Sequence, residues 1–111
     1  MIIVEKNQGT KIPYEVDGTR ITFADDLSLN LAKREEDWPV HIDICAGATG
    51  ELVIGAAAGR TYVAEIDIPA RMYVETEVPA ALSDGEEIIQ PQSEAVPLNM
   101  DKVNLTLWAV K

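Results

Sequence analysis

Cysteine and histidine are almost missing from this sequence. Its 111 residues include one of each, Cys45 and His41. A single cysteine excludes an internal disulfide framework, and one cysteine with one histidine cannot complete a Cys/His zinc site within one chain. We therefore expect no metal and no cofactor, and a fold held together by buried apolar side chains.

Basic residues and long apolar runs are also scarce. The chain has 9 Lys and Arg against 19 Asp and Glu, which gives a net charge of −10. This negative surplus disfavours binding to nucleic acid and to anionic membrane surfaces. No stretch approaches the roughly 20 apolar residues that cross a bilayer, and the start at Met1–Glu5 has no basic leader of the secretory kind. We expect no secretion signal, an intracellular or particle-bound location, and a partner that is another copy or another protein.

Alternation of apolar and polar residues, the pattern of half-buried strands, runs through most of the chain. A strand with Tyr14 and Val16 on one face is followed directly by Asp17-Gly18. Since a two-residue turn needs positive φ, this dipeptide predicts a tight hairpin in which Ile21 and Phe23 pair back on the preceding strand. The same alternation predicts further strands in residues 2–6, 27–31, 40–45, 52–54, 62–68, 72–76 and 103–107.

Residues 79–97 break this pattern with three prolines and four acidic residues. They predict a long acidic loop, which is either a solvated excursion between strands or a partner-binding arm. With 47% apolar residues the chain is sized for a single β-rich domain, residues 1–111. We predict an all-β fold, an antiparallel β-sandwich or flattened barrel of roughly eight strands, with this loop at one end.

A short echo links two of the predicted strands. Ile42-Asp43-Ile44 is matched farther along the chain by Ile66-Asp67-Ile68. Repeat arrays need about three or more units to cover their faces, and here there are two. We interpret the echo as similar strand chemistry, with duplication of a hairpin as the alternative.

Candidate catalytic groups are few. His41 and Cys45 are four residues apart, which is about 13 Å on a strand at roughly 3.3 Å per residue, too far for the imidazole to activate the thiol. Carboxylates at hairpin ends and on exposed strand faces are usually solvated, so we expect no enzyme. The carboxylates that would serve a two-carboxylate hydrolase are Asp25, Asp26, Asp43 and Asp67.

Two acidic runs contain possible calcium ligands. Asp25-Asp26 and Glu35-Glu36-Asp37 offer carboxylate oxygens. Neither run follows the twelve-residue spacing of a calcium loop. The sequence therefore does not predict a specific calcium site.

Trp38 and Trp108 are the candidate interface or ligand contacts. Trp108 lies opposite the face that carries Leu105 and Leu107, so it is either on a second buried face or exposed. Burial between two sheets or at a subunit contact is favoured over a sugar-stacking platform. The sequence thus predicts a non-enzymatic structural, assembly or protein-interaction domain that forms a homo-oligomer. A carbohydrate-binding module is the alternative, and a carboxylate-dependent hydrolase is the least favoured.

Four segments carry a resemblance to known proteins: Met1–Gly18, Leu29–Glu35, Tyr62–Ala70 and Leu105–Trp108. They are similar to small proteins encoded in prophage regions of Gram-positive gut bacteria. The resemblance covers much of the chain and includes no catalytic motif. It implies a phage-related protein that is part of the virion or associated with it, and it transfers no activity and no site residues.

Overall fold

A computed structural model describes residues 1–56, 60–81 and 87–110, and this part of the chain is all-β, as predicted. It contains ten strands, where the alternation predicted roughly eight, arranged in three sheets. Two short 3₁₀ helices, Leu31–Lys33 and Met100–Lys102, accompany them. The strands are β1 (Ile2–Glu5), β2 (Tyr14–Asp17), β3 (Arg20–Phe23), β4 (Leu27–Asn30), β5 (Val40–Ala46), β6 (Leu52–Ile54), β7 (Thr61–Ile68), β8 (Tyr73–Ala81), β9 (Glu87–Ala95) and β10 (Asn104–Leu107).

The largest sheet has five strands in the order β1-β10-β7-β5-β6. β1 pairs with β10 in parallel, and the other neighbours are antiparallel. Ile42 lies opposite Ile66, so the two echoed segments are cross-strand neighbours. Within the described residues β1 and β6 are the edges, and the sheet is open rather than closed into the flattened barrel that the sequence allowed.

β2, β3 and β4 form a three-stranded antiparallel sheet. β3 pairs back on β2, which confirms the hairpin predicted from Asp17-Gly18. Asp17 itself pairs with Arg20, so the two turn residues are Gly18 and Thr19. Gly18 has a φ of +60°, and Thr19 is not among the residues with positive φ. A positive φ at the first turn residue alone is the pattern of a type II′ turn, which favours glycine at that position.

One cluster of buried side chains joins the five-stranded and three-stranded sheets. Ile21 and Phe23 of β3 are fully buried, as are Ile44, Ile66 and Leu105 of the larger sheet. Because the two sheets enclose the same apolar interior, removal of these side chains from water is the main favourable term in folding. The cluster consists of Ile12, Ile21, Phe23, Leu29, Leu31, Ile42, Ile44, Val63, Ala64, Ile66, Ile68, Val103, Leu105 and Leu107.

Most of the segment predicted as a long acidic loop is strand, so that prediction is wrong for the residues described. β8 and β9 pair along their whole length as an antiparallel hairpin, from Tyr73 opposite Ala95 onwards. Pro79 and Pro91 lie within these strands. Each strand of a two-stranded sheet has one edge without a partner, where a residue that lacks an N–H is tolerated. Residues 82–86 of the predicted loop lie outside the described residues.

This hairpin, from here on the arm, projects from the rest of the protein. β8 and β9 contact chiefly each other. The molecule measures 71 × 23 × 21 Å and has a radius of gyration of 19.9 Å, whereas a compact domain of this size has about 13 Å. The arm therefore accounts for much of the length of the molecule.

Arg71 fixes the root of the arm. Its guanidinium donates to the backbone oxygen of Glu35 at 2.8 Å and to Asp37 Oδ1 at 3.1 Å. The hydroxyl of Tyr73 donates to the same oxygen of Asp37, and the backbone N–H of Arg71 donates to the oxygen of Glu36 at 2.7 Å. These contacts tie the start of β8 to the connection between β4 and β5.

Candidate functional site

β5 and β7 carry a group of polar side chains on the face of the five-stranded sheet that points away from the core. His41 lies opposite Asp67, and Asp43 lies opposite Glu65. Their neighbours along the strands are buried in the core, so strand alternation turns these four side chains outward. Directly opposed residues have Cβ atoms about 4.5–5.5 Å apart, close enough for their side chains to bond. We call these four residues the histidine cluster.

His41 uses both of its ring nitrogens. Nδ1 lies 2.6 Å from Oδ1 of Asp67, while Nε2 lies 2.7 Å from Oδ1 of Asp43 and 3.4 Å from Oε1 of Glu65. In the protonated ring both N–H groups donate to these carboxylates. Three carboxylates therefore share one imidazole, whose side chain is 47% exposed.

The carboxylates raise the pKa of His41 above its ordinary value of 6.5. The hydrogen bond to Asp67 contributes most, burial opposes it, and the bond to Asp43 adds to it. Folding thus favours the charged ring. The contribution of the charged imidazole to the stability of the fold is fully present below about pH 6.5. It is lost as the pH rises through the raised pKa of His41 in the folded state. Since the ring is half exposed, solvent screens this contribution.

Asp67→Asn should lower the pKa of His41, because it removes the negative charge of Asp67 and leaves only a neutral amide oxygen as acceptor, in place of the carboxylate bond that raises the pKa most. The measurement is an NMR pH titration of the imidazole protons in buffer that contains EDTA. His41 is the single histidine of the chain, so its signals need no further assignment. Asp25→Asn, in a turn of the other sheet, is the matched control and should leave the titration unchanged. Equal midpoints in wild type and Asp67→Asn would contradict the assignment.

Cys45 lies on β5 with His41, which confirms that both residues belong to one strand. The side chain of Cys45 is 1% exposed, and burial raises the pKa of its thiol. Both ring nitrogens of His41 already bind carboxylates. His41 is therefore not positioned to deprotonate the Cys45 thiol.

A β-bulge brings an aromatic pair beside the histidine cluster. The register of β7 shifts at Val63, and Tyr62 stacks on Trp108 with ring centroids 5.3 Å apart and planes at 23°. The indole Nε1 of Trp108 donates to Oε2 of Glu65 at 2.7 Å, and Nζ of Lys6 lies 5.5 Å from the centre of the Trp108 ring. Trp108 therefore holds one carboxylate oxygen of the cluster in place.

Trp108 is half-buried on the outer face of the sheet. The prediction that it is buried between two sheets is wrong. Strand alternation points Leu105 and Leu107 into the core and turns Trp108 to the opposite face. Its contact with Tyr62 covers part of the indole that a sugar would stack on. A subunit contact at Trp108 stays a prediction.

Trp38 has a different environment. Its side chain is 61% exposed, next in sequence to Asp37, which binds Arg71 and Tyr73 at the root of the arm. An apolar cavity of about 230 Å³ lies at the root of the arm, and Trp38 is not part of its lining. Its lining includes Pro69, Ala70, Met72, Val74, Val96, Pro97 and Leu98.

The four carboxylates considered for catalysis are not brought together. Asp43 and Asp67 join the histidine cluster, whereas Asp25 and Asp26 lie in the turn between β3 and β4 of the other sheet. The second acidic run with possible calcium ligands is Glu35-Glu36-Asp37. Its Glu35 carboxylate lies 3.5 Å from the Arg71 guanidinium, and Asp37 also binds this arginine.

Sequence reasoning missed Glu65 and the anchoring role of Arg71. The echo contained a usable signal for Glu65, because pairing Ile42 with Ile66 places Glu65 directly opposite Asp43. Arg71 gave no such signal, since its contacts join segments more than 30 positions apart in the chain.

Comparison with known proteins finds no match: no family model, no curated protein and no solved structure matches the chain. No helix in the described residues is long and apolar enough to span a membrane. The function is therefore argued from the geometry of this chain.

Proposed function

We propose that the protein is a non-enzymatic assembly domain in which the root of the arm binds a second copy of the chain. The observation that carries this proposal is the arm itself. A two-stranded hairpin is at best marginally stable in water and needs packing against another surface. Among the residues that the structure describes, β8 and β9 obtain little of that packing from other elements of the chain. In this proposal the body behind the arm is a two-layer β-sandwich, which is supported by the core shared between its two sheets.

Two exposed apolar patches supply the contact surfaces. At the arm root, Met72 is 53% and Val74 is 49% exposed beside the apolar cavity. At the edge of the five-stranded sheet, Ile2, Ile3 and Val4 are 50%, 43% and 45% exposed. Contiguous exposed apolar surface on a soluble protein favours a binding partner. When the β1 edge of one copy packs against the arm root of the next, both patches are removed from water.

A contact between two different patches is head-to-tail. Such contacts close into a ring or continue as a filament, depending on the rotation between neighbours. An assembly of this kind suits a component that occurs in many copies, and the prophage resemblance supports a role in or on a virion.

Pro79 and Pro91 each remove an N–H from the strands of the arm. This disfavours uncontrolled strand addition at those positions.

Val74→Glu should weaken self-association at least tenfold, because it places a charge in a surface that assembly removes from water. The matched control is Val16→Glu, the same change at a strand valine that is 44% exposed on β2. Sedimentation velocity over a range of protein concentrations measures both. We expect oligomers for wild type and Val16→Glu, and a shift to monomer for Val74→Glu. A monomeric wild type, or equal association of the two variants, would overturn the proposal.

Exposure of Trp38 favours a second candidate, a carbohydrate-binding module. An indole that is 61% exposed and follows the acidic run Glu35-Glu36-Asp37 in the sequence has the composition of a sugar contact. The two candidates are distinguished by titrating soluble oligosaccharides into the protein and following tryptophan fluorescence. A response in wild type that is lost in Trp38→Phe would favour this second candidate.

A further inference from the structure

The histidine cluster brings three potential metal-donor atoms close together. Nε2 of His41, a carboxylate oxygen of Asp43 and one of Glu65 all lie within 4.8 Å of one another. Metal–ligand bonds of about 2.0–2.2 Å in tetrahedral geometry separate neighbouring ligand atoms by about 3.4 Å. The observed distances from Nε2 are 2.7 Å to Asp43 and 3.4 Å to Glu65. Admission of an ion therefore requires the Asp43 carboxylate to move away from Nε2.

The groups behind these donors already hold them in orientation. Asp67 binds Nδ1 of His41 at 2.6 Å, which directs Nε2 toward Asp43 and Glu65. Such carboxylate–histidine pairs fix the tautomer of metal-binding histidines and raise their basicity. Trp108 donates to Oε2 of Glu65 at 2.7 Å, which leaves Oε1 facing the imidazole.

The cluster also has a surplus of negative charge. Within the residues that the structure describes, the ion pairs of Asp43, Glu65 and Asp67 all go to His41. Three carboxylates with one imidazolium leave a net charge of −2. A dication that takes the place of the Nε2 proton would reduce this net charge to −1, with release of that proton to solvent.

We propose that His41, Asp43 and Glu65 bind one first-row transition-metal dication of the zinc class, with Asp67 and Trp108 as positioning residues. A nitrogen donor with two carboxylates suits such ions. Calcium is disfavoured because it takes six to eight oxygen ligands. Water completes the coordination, since the site lies on an open sheet face. This site does not depend on assembly through the arm.

Isothermal titration of the metal-free full-length chain with zinc chloride tests the site. We expect one zinc ion per chain. Glu65→Gln keeps an acceptor for Trp108 but loses the anionic ligand, and it should bind at least tenfold more weakly. Asp67→Asn should weaken binding about 10- to 100-fold, the usual effect of removing a group that orients a metal-binding histidine. Asp25→Asn, an acidic residue outside the cluster, should bind like wild type.

A second measurement on the wild-type chain keeps the test valid if a variant folds poorly. Cobalt(II), as a paramagnetic substitute for zinc, should broaden amide NMR signals near the centres of β5 and β7 before any others. The site is overturned if wild type binds no zinc, if the two cluster variants bind as tightly as Asp25→Asn, or if cobalt broadens the acidic surface uniformly.

Discussion

Phe23→Ala is expected to cost about 3–5 kcal/mol of unfolding free energy, the range for removing a fully buried phenylalanine. Phe23 is 0% exposed and belongs to the cluster that joins the two sheets. The substitution leaves a cavity where the three-stranded sheet meets the larger one. Small domains have a total stability of about 5–15 kcal/mol, so this loss is a large fraction of it. Denaturant unfolding followed by far-UV circular dichroism measures the change.

Val16→Ala is the control for Phe23→Ala. Val16 lies on the neighbouring strand β2 but is 44% exposed. Surface substitutions usually change stability by less than about 0.5 kcal/mol. If both variants unfolded at the same denaturant concentration, the three-stranded sheet would not pack on the larger sheet as described.

Gly18→Val is expected to destabilise the protein by about 1–3 kcal/mol, because a β-branched residue does not readily adopt the positive φ of this turn. A Cβ atom built on Gly18 meets nothing within 4 Å. The loss therefore comes from the backbone conformation at φ +60° and not from a clash with neighbouring side chains. The midpoint of urea unfolding measures it.

Gly18→Asn separates backbone strain from any other effect of losing the glycine. Asparagine adopts positive φ more readily than other residues with a side chain, so its cost should be clearly smaller than that of valine. Equal losses for valine and asparagine would indicate that strain at positive φ is not the cause.

If zinc binding and self-association both hold, the protein has two separate functional surfaces. The histidine cluster lies on the outer face of β5 and β7, while the proposed assembly contact uses β1 and the arm root. Val74→Glu should weaken assembly and leave zinc binding intact. Glu65→Gln should do the reverse.

Local sequence patterns determined most of the body of the fold. Strand alternation placed Leu105 and Leu107 in the core, and Asp17-Gly18 located the first hairpin, because the burial of one strand face and the φ of a tight turn depend on adjacent residues. The same reasoning kept His41 and Cys45 apart on one strand.

Long-range pairing was decided only by the tertiary structure. The contact of His41 with Asp67 and Glu65 depends on which strands are neighbours and in which register, and a shift of one residue would turn every side chain to the opposite face. The arm was missed for a related reason. Prolines disfavour a central strand but are tolerated in an edge strand. Whether a strand has one neighbour or two is decided by the tertiary structure and cannot be read from its local sequence.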